Sequence, residues 1–165
     1  MIFRPSQRRK MIVLVLAVSV LAGCGFSILL THLHRQTKLP YRDSFSRNIA
    51  SEWKPYGGAW QLSDGAILNR SDESGAKLIA GSSRWADYQV FADLKLVGHG
   101  GDIGVLVRVR DAERGIDSYN GYYIGLRSAD SALVIGRADY GWMESRPVAV
   151  VGGIQSGAWS HLHVV

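Results

Sequence analysis

The second half of the chain carries aromatic side chains interleaved with polar ones, close to predicted turns. Flat aromatic rings pack against the apolar face of a pyranose, and a few polar groups hydrogen-bond its hydroxyls. The residues that supply this mixture are Tyr119, Asn120, Tyr123, Arg127, Tyr140, Trp142 and Glu144, to which a polar sheet face adds Asp93 and Arg108. We therefore predict a carbohydrate-binding site. The alternative interpretation is that the Tyr and Trp residues fill the core of a β-sheet protein.

Short runs of alternating apolar and polar residues must position these side chains. Gly, Asp, Asn and Ser interrupt the runs, and no helical periodicity of useful length follows residue 41. The predicted strands are 59–62, 66–69, 77–80, 88–97, 103–110, 122–127, 132–137, 142–150 and 159–165. The pattern predicts an all-β domain over 41–165, built from antiparallel sheets with one face in the core and one face wet.

Two of these segments allow more detailed predictions. Ser63-Asp64-Gly65 is a tight hairpin turn, because glycine takes positive φ without steric cost. In 103–110 the alternation puts the valines at 105, 107 and 109 on one face, and Arg108 with Arg110 on the other. Arg108 could then face a ligand, or form an ion pair with Asp93 across the sheet.

The N-terminal segment has the layout of a membrane-targeting leader. Basic residues at 8–10 precede twenty uncharged residues at 11–30, about the length needed to cross a ~30 Å hydrocarbon core. More basic residues precede this stretch than follow it, so we expect the N-terminus in the cytoplasm and the domain outside. We predict a signal or anchor segment at 1–33 and a linker at 34–40.

Two kinds of anchor are compatible with this leader. Leu21-Ala22-Gly23-Cys24 resembles a bacterial lipobox, in which Cys24 becomes lipidated. Apolar residues continue past Cys24 to Leu30, which favours an uncleaved signal-anchor helix. Either anchor predicts an extracytoplasmic domain tethered to the membrane. Cys24 is the only cysteine, so the chain cannot form an internal disulfide.

The positive charge of the chain belongs to the leader. The sequence has 19 basic and 14 acidic residues, a net charge of +5. Residues 1–40 contain six of the basic and none of the acidic residues, so the remainder has 13 basic and 14 acidic residues, a net of −1. Because the folded part has no basic excess, nucleic-acid binding is excluded as a function.

The sequence ends inside an apolar strand, at 159–165. Natural domains rarely leave such a strand edge unprotected. We therefore expect the domain to be incomplete at its C-terminus.

Seven segments together resemble the concanavalin A-like lectin/glucanase superfamily. They are 43–45, 58–68, 85–90, 101–108, 119–126, 133–137 and 159–162. The chain is most similar to a bacterial laminin-G-like branch, which is grouped with 3-keto-disaccharide hydrolases and family 16 glycoside hydrolases. The resemblance implies an antiparallel jelly-roll β-sandwich with further strands after residue 165. Its motifs are turn glycines and core aromatics, which specify a fold better than an activity.

The sequence lacks the catalytic carboxylate motif of the glucanases in this superfamily. Retaining glucanases of this superfamily use a Glu-x-Asp-x-(x)-Glu strand, since retention needs two carboxyl groups about 5–5.5 Å apart. That spacing does not occur in the sequence. Glu144, near Tyr140 and Trp142, is the best single acid, although a surface carboxylate is the plainer interpretation. We predict a binding module in preference to an enzyme. The alternatives are a glycoside hydrolase acting on a keto-disaccharide or glucan, and a structural or protein-interaction sandwich.

Metal binding has little support in the sequence. The resemblance implies Ca²⁺ held by loop aspartates, for which Asp102 in a Gly-Gly-Asp turn is the candidate. His161 and His163 share a predicted strand face but have no third ligand. No cofactor is predicted.

Overall fold

The computed structural model describes residues 38–98 and 100–165. The predicted anchor segment 1–33, which includes Cys24, and residues 34–37 of the predicted linker lie outside the described residues. His99 also lies outside them.

The described residues form eleven β-strands and no helix. Their bounds are β1 Lys54–Tyr56, β2 Trp60–Ser63, β3 Ala66–Asn69, β4 Lys77–Ile79, β5 Val90–Lys95, β6 Asp102–Arg110, β7 Asn120–Arg127, β8 Ala132–Asp139, β9 Trp142–Glu144, β10 Val148–Ala149 and β11 Trp159–Val164. The predicted all-β class is confirmed. Within these ranges, consequently, no helix is long and apolar enough to cross a membrane.

Every strand pair is antiparallel. The largest sheet has five strands in the order β10-β8-β7-β6, with β9 pairing beside β10 on the free edge of β8. Three two-stranded sheets pair β1 with β4, β2 with β3, and β5 with β11. The predicted strand at 142–150 is two short strands, β9 and β10. Pro147 lies just before β10 and cannot donate to a ladder.

The hairpin of β2 and β3 confirms its predicted turn. Ser63 pairs with Ala66, which leaves Asp64 and Gly65 as a two-residue turn. Their φ values of 51° and 72° are both positive, as a type I′ turn requires. The structure adds strand β1, which the sequence pattern did not predict because Pro55 occupies its centre.

A β-bulge interrupts the alternation of β6. The register of β6 on β7 shifts between Val107 and Arg110, and Arg108 has a φ of 54°. Arg110 pairs with Asn120, two residues from Tyr122, the partner of Val107. Arg110 therefore lies on the same face as Val105 and Val107, and the prediction that it lies on the opposite face is wrong. The reason is the bulge, which adds one residue to β6 after Val107 and so reverses the alternation.

The three most deeply buried side chains among the described residues lie on β8. Alternate residues of β8, namely Ala132, Val134 and Ala138, are 3%, 2% and 0% exposed. They point to the same face, since successive strand residues alternate. This face of β8 consists of small side chains, which leaves room above it for larger ones from neighbouring strands.

Candidate functional site

Five predicted site residues lie on one face of the five-stranded sheet. Directly paired residues of antiparallel strands share a face. Asp102 pairs with Arg127, Leu106 pairs with Tyr123, and Tyr123 pairs with Gly136. Gly136 and Ala138 in turn pair with Glu144 and Trp142 of β9. The sheet thus brings together Asp102, Tyr123, Arg127, Trp142 and Glu144, which are separated by up to 42 positions in the sequence.

The two aromatic rings of this group pack closely over glycines. A Cβ placed on Gly125 or Gly136 would collide with the ring of Tyr123 or Trp142, respectively, and one on Gly104 would lie 2.8 Å from Cε2 of Tyr123. The rings can approach the backbone only because these positions carry no side chain. We call Tyr123 and Trp142, together with Gly104, Gly125 and Gly136 beneath them, the aromatic platform. Its two rings meet edge to face, with centroids 6.0 Å apart.

Charged groups line one side of the aromatic platform. The Arg127 guanidinium donates from Nε and Nη2 to Asp130, at 2.9 and 2.7 Å, and from Nη1 and Nη2 to Glu144, at 2.8 and 3.2 Å. The Trp142 indole N–H also donates to Glu144, over 3.2 Å. Glu144 therefore joins the ion network to the Trp142 ring.

Hydrogen bonding fixes the charge of this network. The Arg127 guanidinium lowers the pKa of Glu144 below its ordinary value, and the Trp142 N–H adds to the effect. Arg127 lowers the pKa of Asp130 in the same way. Each hydrogen bond favours the charged form of the carboxyl group. Both carboxylates are consequently ionised at neutral pH.

The Tyr123 hydroxyl is the unusual polar group of the site. It is buried, and no group in the described part of the chain hydrogen-bonds it. Burial raises the pKa of Tyr123, and the nearby Asp102 carboxylate raises it further. The phenol is therefore neutral at neutral pH, and its oxygen is not exposed to a ligand from solvent.

The other predicted site residues lie elsewhere. Asn120 is on the opposite face of β7, where its amide donates to Asp139 over 2.9 Å. Tyr140 is exposed and donates to the Asp111 carbonyl over 3.0 Å. Tyr119 is only 4% exposed, and the Lys77 amine lies 5.6 Å from its ring centroid. Tyr119 thus has the core position that the alternative interpretation of the aromatics expects.

Arg108 and Asp93 do not pair with each other. Arg108 donates to the Ala86 carbonyl over 3.0 Å and lies 4.0 Å from Asp87. Asp93 contacts His161 of β11 at 2.5 Å, on the exposed face of the β5–β11 sheet. On that face His163 stacks on Phe91 instead of pointing to His161, with ring centroids 4.2 Å apart.

The described residues contain no group of three or more His, Cys, Asp and Glu side chains that could hold a metal ion. Asp102 stays a prediction as a calcium ligand.

Sequence reasoning missed two parts of the site. Asp130 lies in the β7–β8 turn, only three positions from Arg127, a spacing that could have indicated an ion pair. The glycines of the platform gave an indirect signal, because Gly104, Gly125 and Gly136 each interrupt an otherwise regular strand.

A scan against protein-family models, a search of curated proteins and a search of solved structures each found no match to this chain.

Proposed function

We propose that the aromatic platform binds carbohydrate and does not cleave it. The observation that carries the proposal is the packing of Tyr123 and Trp142 over glycines on one face of the sheet. Rings that lie along a sheet, with polar groups at their edge, offer a pyranose both a stacking surface and hydrogen-bond partners. Glu144, Asp130 and Asp102 are acceptors for sugar hydroxyls.

The charge state of the acids favours binding over hydrolysis. Glycoside hydrolases need one carboxyl group that is protonated at working pH, and burial in an apolar pocket commonly raises its pKa. At the platform the shifts of Glu144 and Asp130 are both downward, because both groups hydrogen-bond Arg127. Neither is suited to protonate a leaving group.

For the fold we propose a jelly-roll β-sandwich of the concanavalin A-like type. Leu126 of β7 and Leu162 of β11 line one cleft of about 320 Å³, together with Ile154 of the connecting loop. Residues of the β5–β11 sheet and of the five-stranded sheet thus line the same cavity. Two facing layers of a β-sandwich would have this arrangement. The platform lies on the other face of the five-stranded sheet.

For the location we propose an extracytoplasmic domain anchored by the leader. The support is the sequence of 1–33, with its basic start, its uncharged stretch and Cys24. Fractionating cells that express the wild type and Cys24→Ser separates the two anchors. A lipoprotein loses membrane association and fatty-acid labelling in the variant, whereas a signal-anchor helix keeps its association. A wild-type chain found in the soluble fraction would contradict both.

Binding to a glycan array, with the full chain in detergent, tests the function. We expect Trp142→Ala to weaken the best-bound glycan at least about tenfold, the effect of removing a well-packed aromatic contact worth ~1.4 kcal/mol or more. Trp159→Ala is the matched control. This tryptophan is 50% exposed on β11, where the Lys95 amine lies 4.6 Å from its ring centroid.

Three outcomes decide the matter. Loss in Trp142→Ala alone, with the fold intact by circular dichroism, supports the platform as the site. Equal loss in both variants would place the site elsewhere. Wild-type protein that binds no glycan would refute the carbohydrate function and leave the structural or protein-interaction alternative.

A further inference from the structure

The charges around the aromatic platform do not balance. Glu144, Asp130 and Asp102 supply three carboxylates, and Arg127 supplies one guanidinium, a local net of −2. Among the residues that the register of β6 to β9 assigns to this face, Arg127 is the only basic one; Arg108 lies at the bulge and is hydrogen-bonded to the Ala86 carbonyl. The whole of 41–165 carries a net charge of only −1, so the negative charge is concentrated here.

Arg127 has little capacity left for a ligand. A guanidinium has five N–H donors. Four hydrogen bonds already run from Arg127 to Asp130 and Glu144, at 2.7–3.2 Å. To clamp an anionic ligand, the side chain would have to release a bidentate carboxylate that is already in place. Among the described residues, by contrast, Asp102 forms no ion pair.

Two of the carboxylates lie beside the aromatic rings, where a stacked sugar would meet them. Glu144 accepts from the Trp142 indole N–H, so its carboxylate lies at the edge of the ring. Asp102 is close enough to Tyr123 to raise the pKa of the phenol. A sugar stacked on either ring would thus present its substituents to a carboxylate.

Resting on the proposed function, we propose that the aromatic platform selects sugars bearing a free ammonium group over their neutral N-acetylated counterparts and excludes uronic acids. An ammonium donates up to three hydrogen bonds to carboxylate oxygens that still have unused lone pairs. A ligand carboxylate at the platform meets three like charges, and Arg127 is already paired with two of them, so the ligand is repelled. N-acetylation removes the charge but leaves the sugar ring free to stack.

Calorimetric titration of the full chain with three matched ligands tests the proposal. The probes are glucosamine oligomers, N-acetylglucosamine oligomers and uronic-acid oligomers of equal length, at a mildly acidic pH where the sugar amine is protonated. Glu144 and Asp130 remain ionised there, because Arg127 lowers both pKa values. We expect the amine-bearing oligomer to bind about three- to fivefold more tightly than the acetylated one, the range of an exposed ion pair. We expect no measurable binding of the uronic acid.

Salt and charge variants identify the cause of the preference. It should shrink towards unity at ~1 M salt, where the Debye length is only ~3 Å. It should also fall in Asp102→Asn, which removes one of the three negative charges. Asp64→Asn is the control, because it makes the same charge change in the exposed β2–β3 turn and Asn tolerates its positive φ.

The outcomes separate this inference from the proposed function. If neutral oligomers bind as tightly as amine-bearing ones, or uronic acids bind more tightly, charge selection is wrong although carbohydrate binding stands. A preference that survives in high salt, or falls equally in Asp64→Asn, overturns the assignment to Asp102 and its neighbours. If none of the oligomers binds, and a glycan array also gives no signal, both proposals fail together.

Discussion

Gly136→Ala tests the geometry on which the candidate site depends. The backbone of Gly136 has an ordinary strand conformation, so alanine meets no dihedral strain there. The added methyl group would overlap the six-membered ring of Trp142 and would lie 2.8 Å from the Met143 carbonyl oxygen. The indole must lift from the sheet, which breaks its edge contact with Tyr123 and its hydrogen bond to Glu144.

The expected cost follows from these contacts. Overpacking a close-packed site costs ~1–3 kcal/mol, an aromatic pair contributes ~0.5–1.5 kcal/mol, and a hydrogen bond ~1 kcal/mol. Since these effects overlap, we expect Gly136→Ala to lower the free energy of unfolding by ~3 kcal/mol. In a Trp142→Ala background only the tight Met143 carbonyl remains, and the same change should cost ~1 kcal/mol. The coupling energy between the two positions is then ~2 kcal/mol.

Urea unfolding of the four proteins in this double-mutant cycle, followed by circular dichroism, measures the coupling. Gly141→Ala is the control, because a methyl group there meets nothing within 4 Å and the φ angle is ordinary. It should be neutral or stabilise by up to ~1 kcal/mol. An equal cost of Gly136→Ala with and without Trp142 would refute the reasoning, since the ring would then not lie on that glycine.

Three further predictions concern backbone strain, burial and charge. Arg108→Val should destabilise by ~1–2 kcal/mol more than Arg110→Val in urea unfolding, because a β-branched residue tolerates a φ of 54° poorly; equal effects would contradict the bulge. Tyr123→Phe should stabilise by ~1 kcal/mol, since it removes a buried hydroxyl without a protein partner. Tyr140→Phe, which loses a bond to the Asp111 carbonyl, should destabilise slightly, and the opposite ranking would count against this account. The pKa values of Glu144 and Asp130 are lowered in the folded state, so their stabilising effect is complete above the unfolded pKa of about 4 and is lost as the pH falls below it. Stability measured from pH 6 to pH 2 should therefore fall less steeply in Arg127→Met than in the wild type, and parallel curves would exclude the network as the cause.

Local patterns in the sequence predicted the strands well because each depends on neighbouring residues. The β2–β3 turn needs only a residue that tolerates positive φ followed by glycine, and Asp64-Gly65 supplies both. The alternation of 103–107 likewise predicted its two faces. The bulge at Arg108 was not predictable, because no glycine or asparagine marks the position that takes the left-handed conformation.

The site was predictable by residue type but not by grouping. Tyr123, Arg127, Trp142 and Glu144 were candidates because aromatic, basic and acidic residues suit a sugar. Their separation from Asn120 and Tyr140 depends on which face each strand presents after pairing. Alternation within a single strand does not specify that pairing, because register is set between strands. Tyr119 is the clearest example, since it is buried beside Lys77, a residue 42 positions away in the sequence.

A purely structural explanation of the platform accounts for only part of it. Glycine weakens a strand by roughly 0.5–1 kcal/mol relative to alanine, and a ring laid over a strand glycine offsets that loss. Tyr123 on Gly125 and Trp142 on Gly136 fit this explanation. It does not require the rings to be bordered by Glu144, Asp130 and Asp102, nor a buried Tyr123 hydroxyl without a protein partner. Selection for stability alone would favour phenylalanine at position 123, since an unsatisfied buried polar atom is destabilising. The polar half of the platform is therefore the part on which the proposed sugar site depends.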